Sequence, residues 1–95
     1  MSKLLIESAN GVRILKFNRP EKINAFDAEL WQLFADGLND ADQDASIKSV
    51  IVTGEGGNFS SGVDLESMVG EGGSDYERPF NNCIDALINF SKPLI

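Results

Sequence analysis

Residues 48 to 65, Lys48-Ser-Val-Ile-Val-Thr-Gly-Glu-Gly-Gly-Asn-Phe-Ser-Ser-Gly-Val-Asp-Leu65, carry an apolar run that stops abruptly in glycines. Val50, Ile51 and Val52 are consecutive and β-branched. Such a run suits a strand covered on both faces, as in a parallel sheet, better than the alternating strand of a half-exposed one. The stretch is therefore read as a central strand of an α/β fold. Gly54, Gly56 and Gly57 follow, where φ can be positive and another backbone or a ligand can come close. In Val63-Asp64-Leu65-Glu66, Asp64 can cap a helix and Glu66 favours its first turn. A strand, a glycine-rich loop and a helix start form the usual setting for a ligand site at the carboxyl edge of an open sheet.

Three loop chemistries are excluded or weakened by the residues present. A P-loop needs Lys and Ser/Thr after its last glycine, whereas Gly62 is followed by Val63 and Asp64. A dinucleotide loop would place its third glycine where Phe59 stands. A nucleophile elbow needs a glycine two residues before the serine, where Asn58 precedes Ser60, and the chain has no His to act as base. Ser60 and Ser61 are thus poor nucleophiles. What remains is electrostatic: backbone N–H groups at a helix start, left uncovered by glycine, can stabilise a developing oxyanion. The Val63 N–H is best placed for that.

The flanking segments fit an α/β domain. Leu4–Ile6 and Val12–Phe17 read as strands joined by Asn10-Gly11, a dipeptide suited to a type I′ turn. Pro20 ends the second strand, and residues 18–26 are expected as an extended surface loop. Asp27 caps a helix expected to run to about Ala41, with Leu30, Phe34, Leu38 and Ala41 as its apolar stripe. Trp31 flanks that stripe and is assigned to packing. Asp36, Asp40, Asp42 and Asp44 lack the glycine and glutamate positions of a calcium loop and read as the wet face and exit of the helix. Leu65–Met68 reads as a short helical turn, broken by Gly70–Ser74. A second helix then starts near Ser74 or Asp75, with Pro79 tolerable only in its first turn. Its buried face combines Tyr76, Phe80, Cys83 or Ile84, and Leu87 or Ile88. Lys92-Pro93 ends that helix, and Leu94-Ile95 begins a further strand.

Charge and cysteine content narrow the partners. With 8 basic against 15 acidic residues, the formal charge is −7, which opposes nonspecific binding to nucleic acid or an anionic membrane. The single cysteine and the lack of His argue against a disulfide framework or a zinc site and suit a reducing cytoplasm. No stretch reads as a signal peptide or a membrane span.

Four landmarks carry a resemblance: Asn18-Arg-Pro-Glu-Lys-Ile-Asn-Ala25, Val50-Ile-Val-Thr-Gly54, Phe59-Ser-Ser-Gly-Val-Asp-Leu65 and Ser91-Lys-Pro-Leu-Ile95. In this order and spacing they resemble the enoyl-CoA hydratase/isomerase, or crotonase, family. The resemblance implies an α/β fold of repeated β-β-α units, with residues 1–95 as the amino-terminal, truncated portion of the single spiral domain. It implies that the Val63 N–H is one of two oxyanion donors to a CoA thioester. It also implies that Lys22, Ala25, Ser61, Gly62, Val63, Asp64 and Leu65 line the substrate pocket. The Phe-Ser-Ser-Gly-x-Asp-Leu form is more similar to the Δ3,Δ2-enoyl-CoA isomerase branch than to hydratases, although Val63 replaces a residue often polar there. Coenzyme A enters only as part of the acyl-CoA substrate, with no separate cofactor and no metal. The parent enzyme is implied to be a homotrimer or hexamer.

The family's second oxyanion donor and its acid/base carboxylates lie downstream of the Lys-Pro strand. Glu55, Glu66 and Glu71 match none of those positions. The first expectation is therefore an amino-terminal piece of an acyl-CoA hydratase or isomerase, inactive and marginally stable alone. A non-catalytic CoA-binding or protein-interaction module is the alternative, and a nonfunctional remnant a third reading.

Overall fold

The computed structural model describes residues 2–64 and 73–95, the side chains of residues 73–75 excepted. The expected turn at Leu65–Met68 and residues 70–72 of the expected break at Gly70–Ser74 lie outside these residues, whereas Gly73 and Ser74 belong to the helix that follows. Strands β1 (Leu4–Ala9) and β2 (Val12–Phe17) form an antiparallel hairpin in register from Leu4↔Phe17 to Ala9↔Val12. Asn10 (φ 52°) and Gly11 (φ 80°) both take positive φ, as a type I′ turn requires. Helix α1 (Ala28–Gln43) follows, and β3 (Ser49–Gly54) returns parallel to β2, from Val12↔Ser49 to Phe17↔Gly54. A parallel return needs such a crossover, because a tight turn can join only antiparallel neighbours. Helix α2 (Gly73–Asn89) follows, and residues 90–95 lead back to the sheet.

The sheet order is β1-β2-β3. On the free side of β3, the Val50 N–H donates to the Pro93 carbonyl (3.0 Å), the Ile95 N–H to Val50 (2.9 Å) and the Val52 N–H to Ile95 (2.8 Å). The Val50–Val52 strand is thus interior, as its composition predicts. Its cover is uneven: Val50 is fully buried, while Ile51 and Val52 are half-buried.

Asp27 caps α1 as expected, its Oδ1 accepting from the Leu30 N–H at 2.9 Å. Leu30, Phe34, Leu38 and Ala41 turn inward and meet Leu4, Leu15 and Phe17 of the hairpin, Val50 of β3, and Cys83 and Ala86 of α2. On α2, Tyr76 and Cys83 are buried, whereas Ile88 is 74% exposed, so Leu87 belongs to the apolar face.

Three expectations are corrected. Residues 18–26 are not extended: Pro20–Lys22 forms a 3-10 turn, followed by Ile23 and Asn24 at φ 52° and 55°. Asn tolerates this left-handed backbone, and its amide supplies local hydrogen bonds that a polar surface loop would take from water. Pro79 lies inside α2, beyond its first turn. It removes one intrahelical hydrogen bond, a cost offset by the apolar face that the helix buries on both sides of it. Finally, the aspartates at the end of α1 are not merely wet: Arg13, 8% exposed, reaches Asp40 (2.8 Å) and Asp44 (3.2 Å), while Asp42 accepts from Ser91 Oγ at 2.5 Å. An arginine drawn under the sheet needs such partners, since a buried charge is stable only when paired. It also complements the negative end of α1.

Candidate functional site

The site is built where the segment after β3 crosses back over the loop before α1. Asn24, with no exposed surface, knots the two together. Its Oδ1 accepts from the Arg19 N–H (2.8 Å), and its Nδ2 donates to the carbonyls of Glu55 and Asn58 (both 2.9 Å). Gly54 leaves the room for this: a Cβ there would collide with the Asn58 and Phe59 carbonyls and come within 2.7 Å of Asn24 Nδ2. Ser60 Oγ donates to the Asn24 carbonyl (2.7 Å) and accepts from the Gly62 N–H (3.0 Å), so the hydroxyl is used structurally.

Beyond the knot, Phe26 and Val63 form a parallel bridge. The Phe26 N–H donates to the Gly62 carbonyl (2.7 Å) and the Phe26 carbonyl accepts from the Asp64 N–H (2.9 Å). In a parallel bridge of this pattern, the residue between the two bonded groups turns its own N–H and C=O away from the partner. The Val63 N–H therefore faces away from Phe26 and has no acceptor among the described residues. Gly62 enables the turn with φ 99°, and open space surrounds the position of its missing Cβ.

Gly62 and Val63 stand on the wall of an open apolar cavity of about 540 Å³. Apart from Ser60, its other walls are aromatic and aliphatic: Phe17 from β2, Phe26, Trp31 and Phe34 around the start of α1, Val52 of β3, Phe59 after it, Phe80 and Leu87 from α2, and Leu94 with Ile95 beyond it. Phe17 meets Phe26, Phe34 and Phe59 edge-on at ring-centroid distances of 4.7, 5.1 and 5.2 Å. Trp31 meets Phe80 at 5.0 Å, also edge-on. These are favourable geometries for aromatic pairs and hold the walls without polar atoms.

Charges lie behind the wall. Arg19 Nη1 pairs with Asp64 Oδ2 (2.8 Å) and donates to the Ala25 carbonyl (2.9 Å), while Arg19 Nε lies 3.6 Å from Asp27 Oδ2. Lys3 closes the set on Asp27 at 2.7 Å. Burial raises the proton affinity of Asp27, but hydrogen bonds from Lys3 and the Leu30 N–H, with the Arg19 charge, outweigh it and leave the carboxyl below its ordinary 3.8. Burial likewise pushes the Tyr76 hydroxyl up, helped by the negative charges of Asp64 and Asp27.

The structure thus divides the residues expected to line a pocket. Gly62 and Val63 line the cavity. Lys22 ends the 3-10 turn with its side chain exposed, and its carbonyl accepts from the Ala25 N–H at 3.0 Å. Ser61 is exposed beside it, its N–H donating to the Ile23 carbonyl at 2.9 Å. Ala25 and Asp64 lie behind the wall, and Leu65 is outside the described residues, as is the helix that Asp64 was expected to cap. Sequence reasoning missed the aromatic walls, because Phe17, Trp31 and Phe80 come from three elements and each satisfies its own element's apolar pattern. Trp31 both packs and lines the cavity. Among the described residues, no group of three acidic, Cys or His side chains converges to hold a metal, and no helix is long and apolar enough to cross a membrane.

A profile described as enoyl-CoA hydratase/isomerase matches residues 7–95. The chain belongs to this family. Its fold is the crotonase fold: an enoyl-CoA hydratase of Mycobacterium marinum superposes with a TM-score of 0.89 at 39% identity, covering 98% of this chain and 46% of that one. The enoyl-CoA hydratase/isomerase of Pseudoalteromonas atlantica T6c gives 0.88 at 30% identity, over 99% of this chain and 37% of the other. Among curated relatives, the chain is 30% identical to the 1,2-epoxyphenylacetyl-CoA isomerase of Escherichia coli K12 over its whole length, and 36% identical to human enoyl-CoA delta isomerase 2 over 97% of it. It spans 39% of the former and 25% of the latter. Relatives in this enoyl-CoA hydratase/isomerase family also carry names that place them in peroxisomes and mitochondria.

Proposed function

We propose that this chain supplies one oxyanion donor and one acyl-pocket wall of an enzyme acting on acyl-CoA thioesters, an enoyl-CoA hydratase or isomerase of the length of its relatives. The carrying observation is the Val63 N–H, unpartnered among the described residues and borne on the cavity wall by the Phe26 bridge. A thioester carbonyl hydrogen-bonded there gains most when it becomes an enolate, because a fixed N–H dipole beside an apolar cavity stabilises the developing charge more than the neutral carbonyl. The acyl chain enters the aromatic cavity, and the exposed Lys22 meets the CoA phosphates locally, against an overall acidic charge. Lys22, Ala25, Ser61, Asp64 and Leu65 form or support the CoA-side rim. The second donor and the proton-moving carboxylates come from outside residues 1–95, so the chain alone is inactive. Residues 1–95 form part of one domain, and the whole enzyme is a homotrimer or hexamer. The single, buried Cys83 suits a reducing compartment such as the cytoplasm.

The test is turnover of a short enoyl-CoA by the full-length enzyme with Gly62→Pro or Gly62→Ala. Proline cannot adopt φ 99°, and alanine is strained there although space is open, so both displace the Val63 N–H. Loss of one oxyanion donor lowers kcat by roughly a hundredfold or more. Unchanged turnover in both folded variants overturns the reading. A non-catalytic binding module predicts instead that CoA thioesters bind but no carboxylate outside residues 1–95 affects any turnover.

A further inference from the structure

Resting on the oxyanion reading of Val63, we infer that Tyr76 is a positioning residue for that donor, fixing the Phe26 carbonyl on which the Gly62-Val63-Asp64 backbone is registered. Tyr76 is 4% exposed and sits near the start of α2. Its hydroxyl donates to the Phe26 carbonyl at 2.8 Å and accepts a short hydrogen bond from Trp31 Nε1. The Phe26 carbonyl also takes the Asp64 N–H at 2.9 Å. A carbonyl has two lone-pair directions, and here both are occupied, one by the loop that carries Val63 and one by the helix. The Phe26 backbone is thus held at three points: its N–H by the Gly62 carbonyl, its oxygen by the Asp64 N–H and the Tyr76 hydroxyl.

Packing alone does not call for a hydroxyl at this place. A phenylalanine would fill the same volume, and burying a tyrosine hydroxyl is favourable only when its hydrogen-bonding capacity is used. Tyr76 uses it as a link from Trp31, on the cavity wall, to the carbonyl behind the donor. Small displacements of a preorganised donor matter because the stabilisation depends on aim at the developing charge. Arg19 holds the same segment through the Asp64 carboxylate, so side chain and backbone of Asp64 are anchored independently.

The experiment compares the full-length enzyme with its Tyr76→Phe variant. Two quantities are read: kcat and KM for a short enoyl-CoA, and the infrared stretch of a 13C-labelled thioester carbonyl in a bound, unreactive acyl-CoA. The expected result is a kcat about tenfold lower, a smaller loss than removing the donor outright, with KM nearly unchanged. The bound carbonyl stretch should shift toward higher frequency, as a weakened hydrogen bond requires. Because the stretch reports on folded, liganded enzyme alone, reduced folding yield does not obscure it. A purely structural hydroxyl predicts a lower melting temperature with stretch and kcat per folded enzyme both unchanged, and that outcome overturns the inference. Gly62→Ala distinguishes the two levels. If it leaves the stretch unmoved, the oxyanion reading itself fails. If it moves the stretch and Tyr76→Phe does not, only the role of Tyr76 fails.

Discussion

Arg19→Met probes the charge that holds the donor segment in place. In the structure Arg19 and Asp64 side chains are 12% and 11% exposed and meet at 2.8 Å, and the same Nη1 serves the Ala25 carbonyl. Methionine keeps much of the side-chain volume and removes every donor. Taking the arginine away from a buried carboxylate costs about 3–5 kcal/mol, and the abandoned Ala25 carbonyl adds about 1 kcal/mol. Against a typical net stability of roughly 5–15 kcal/mol, a loss of about 5 kcal/mol is large. In urea unfolding of the full-length protein followed by circular dichroism, it should lower the midpoint by about 2 M, taking a slope of about 2.5 kcal/mol per molar. Adding Asp64→Asn should recover about half of the loss, because the buried negative charge that Arg19 balanced is then gone. A single variant that loses under about 1 kcal/mol, or a double variant no milder than Arg19→Met, would refute the view that this pair is a buried, mutually dependent anchor.

Gly54→Ala should prevent native folding, since the new Cβ meets two carbonyls and the buried Asn24 amide rather than a yielding side chain; near-ultraviolet circular dichroism checks it. The Asp27 carboxyl, held below 3.8, contributes stability that is complete above that value and is lost as pH falls through its lowered folded value. An Asp27→Asn variant should therefore lack part of the destabilisation of the parent below pH 3.8, measured as melting temperature against pH. Burial pushes the Cys83 thiol up to about 12, so at pH 8 a disulfide reagent should label it only after denaturation.

Local chemistry made much of the scaffold legible. Asn10-Gly11 announces the hairpin, Asp27 with the Leu30–Ala41 stripe announces α1, and the β-branched run with its glycines announces β3 and the loop beyond. These signals lie within a turn or a few helical steps, where backbone preference and periodicity act. The knot at Asn24 is different: its partners at Glu55 and Asn58 lie far along the chain, and the neighbouring residues read equally well as a surface loop. The Arg19–Asp64 pair is separated by 45 positions, and no local pattern fixes which of the many acidic residues an arginine will meet. Gly62 and Val63 are legible from the glycine-rich loop beyond β3, where uncovered backbone N–H groups are expected, and again from the family landmark, but not from periodicity. The cavity that they face was hidden because its aromatic residues double as core.

The most direct measurement is a crystal structure of the full-length protein with a non-hydrolysable acyl-CoA thioester analogue. The account predicts the thioester oxygen about 2.7–3.1 Å from the Val63 nitrogen, the range of a working oxyanion donor, with the acyl arm among Phe26, Trp31 and Phe80. An oxygen hydrogen-bonded elsewhere, with the Val63 N–H still unpartnered and the acyl arm outside the aromatic cavity, would contradict it.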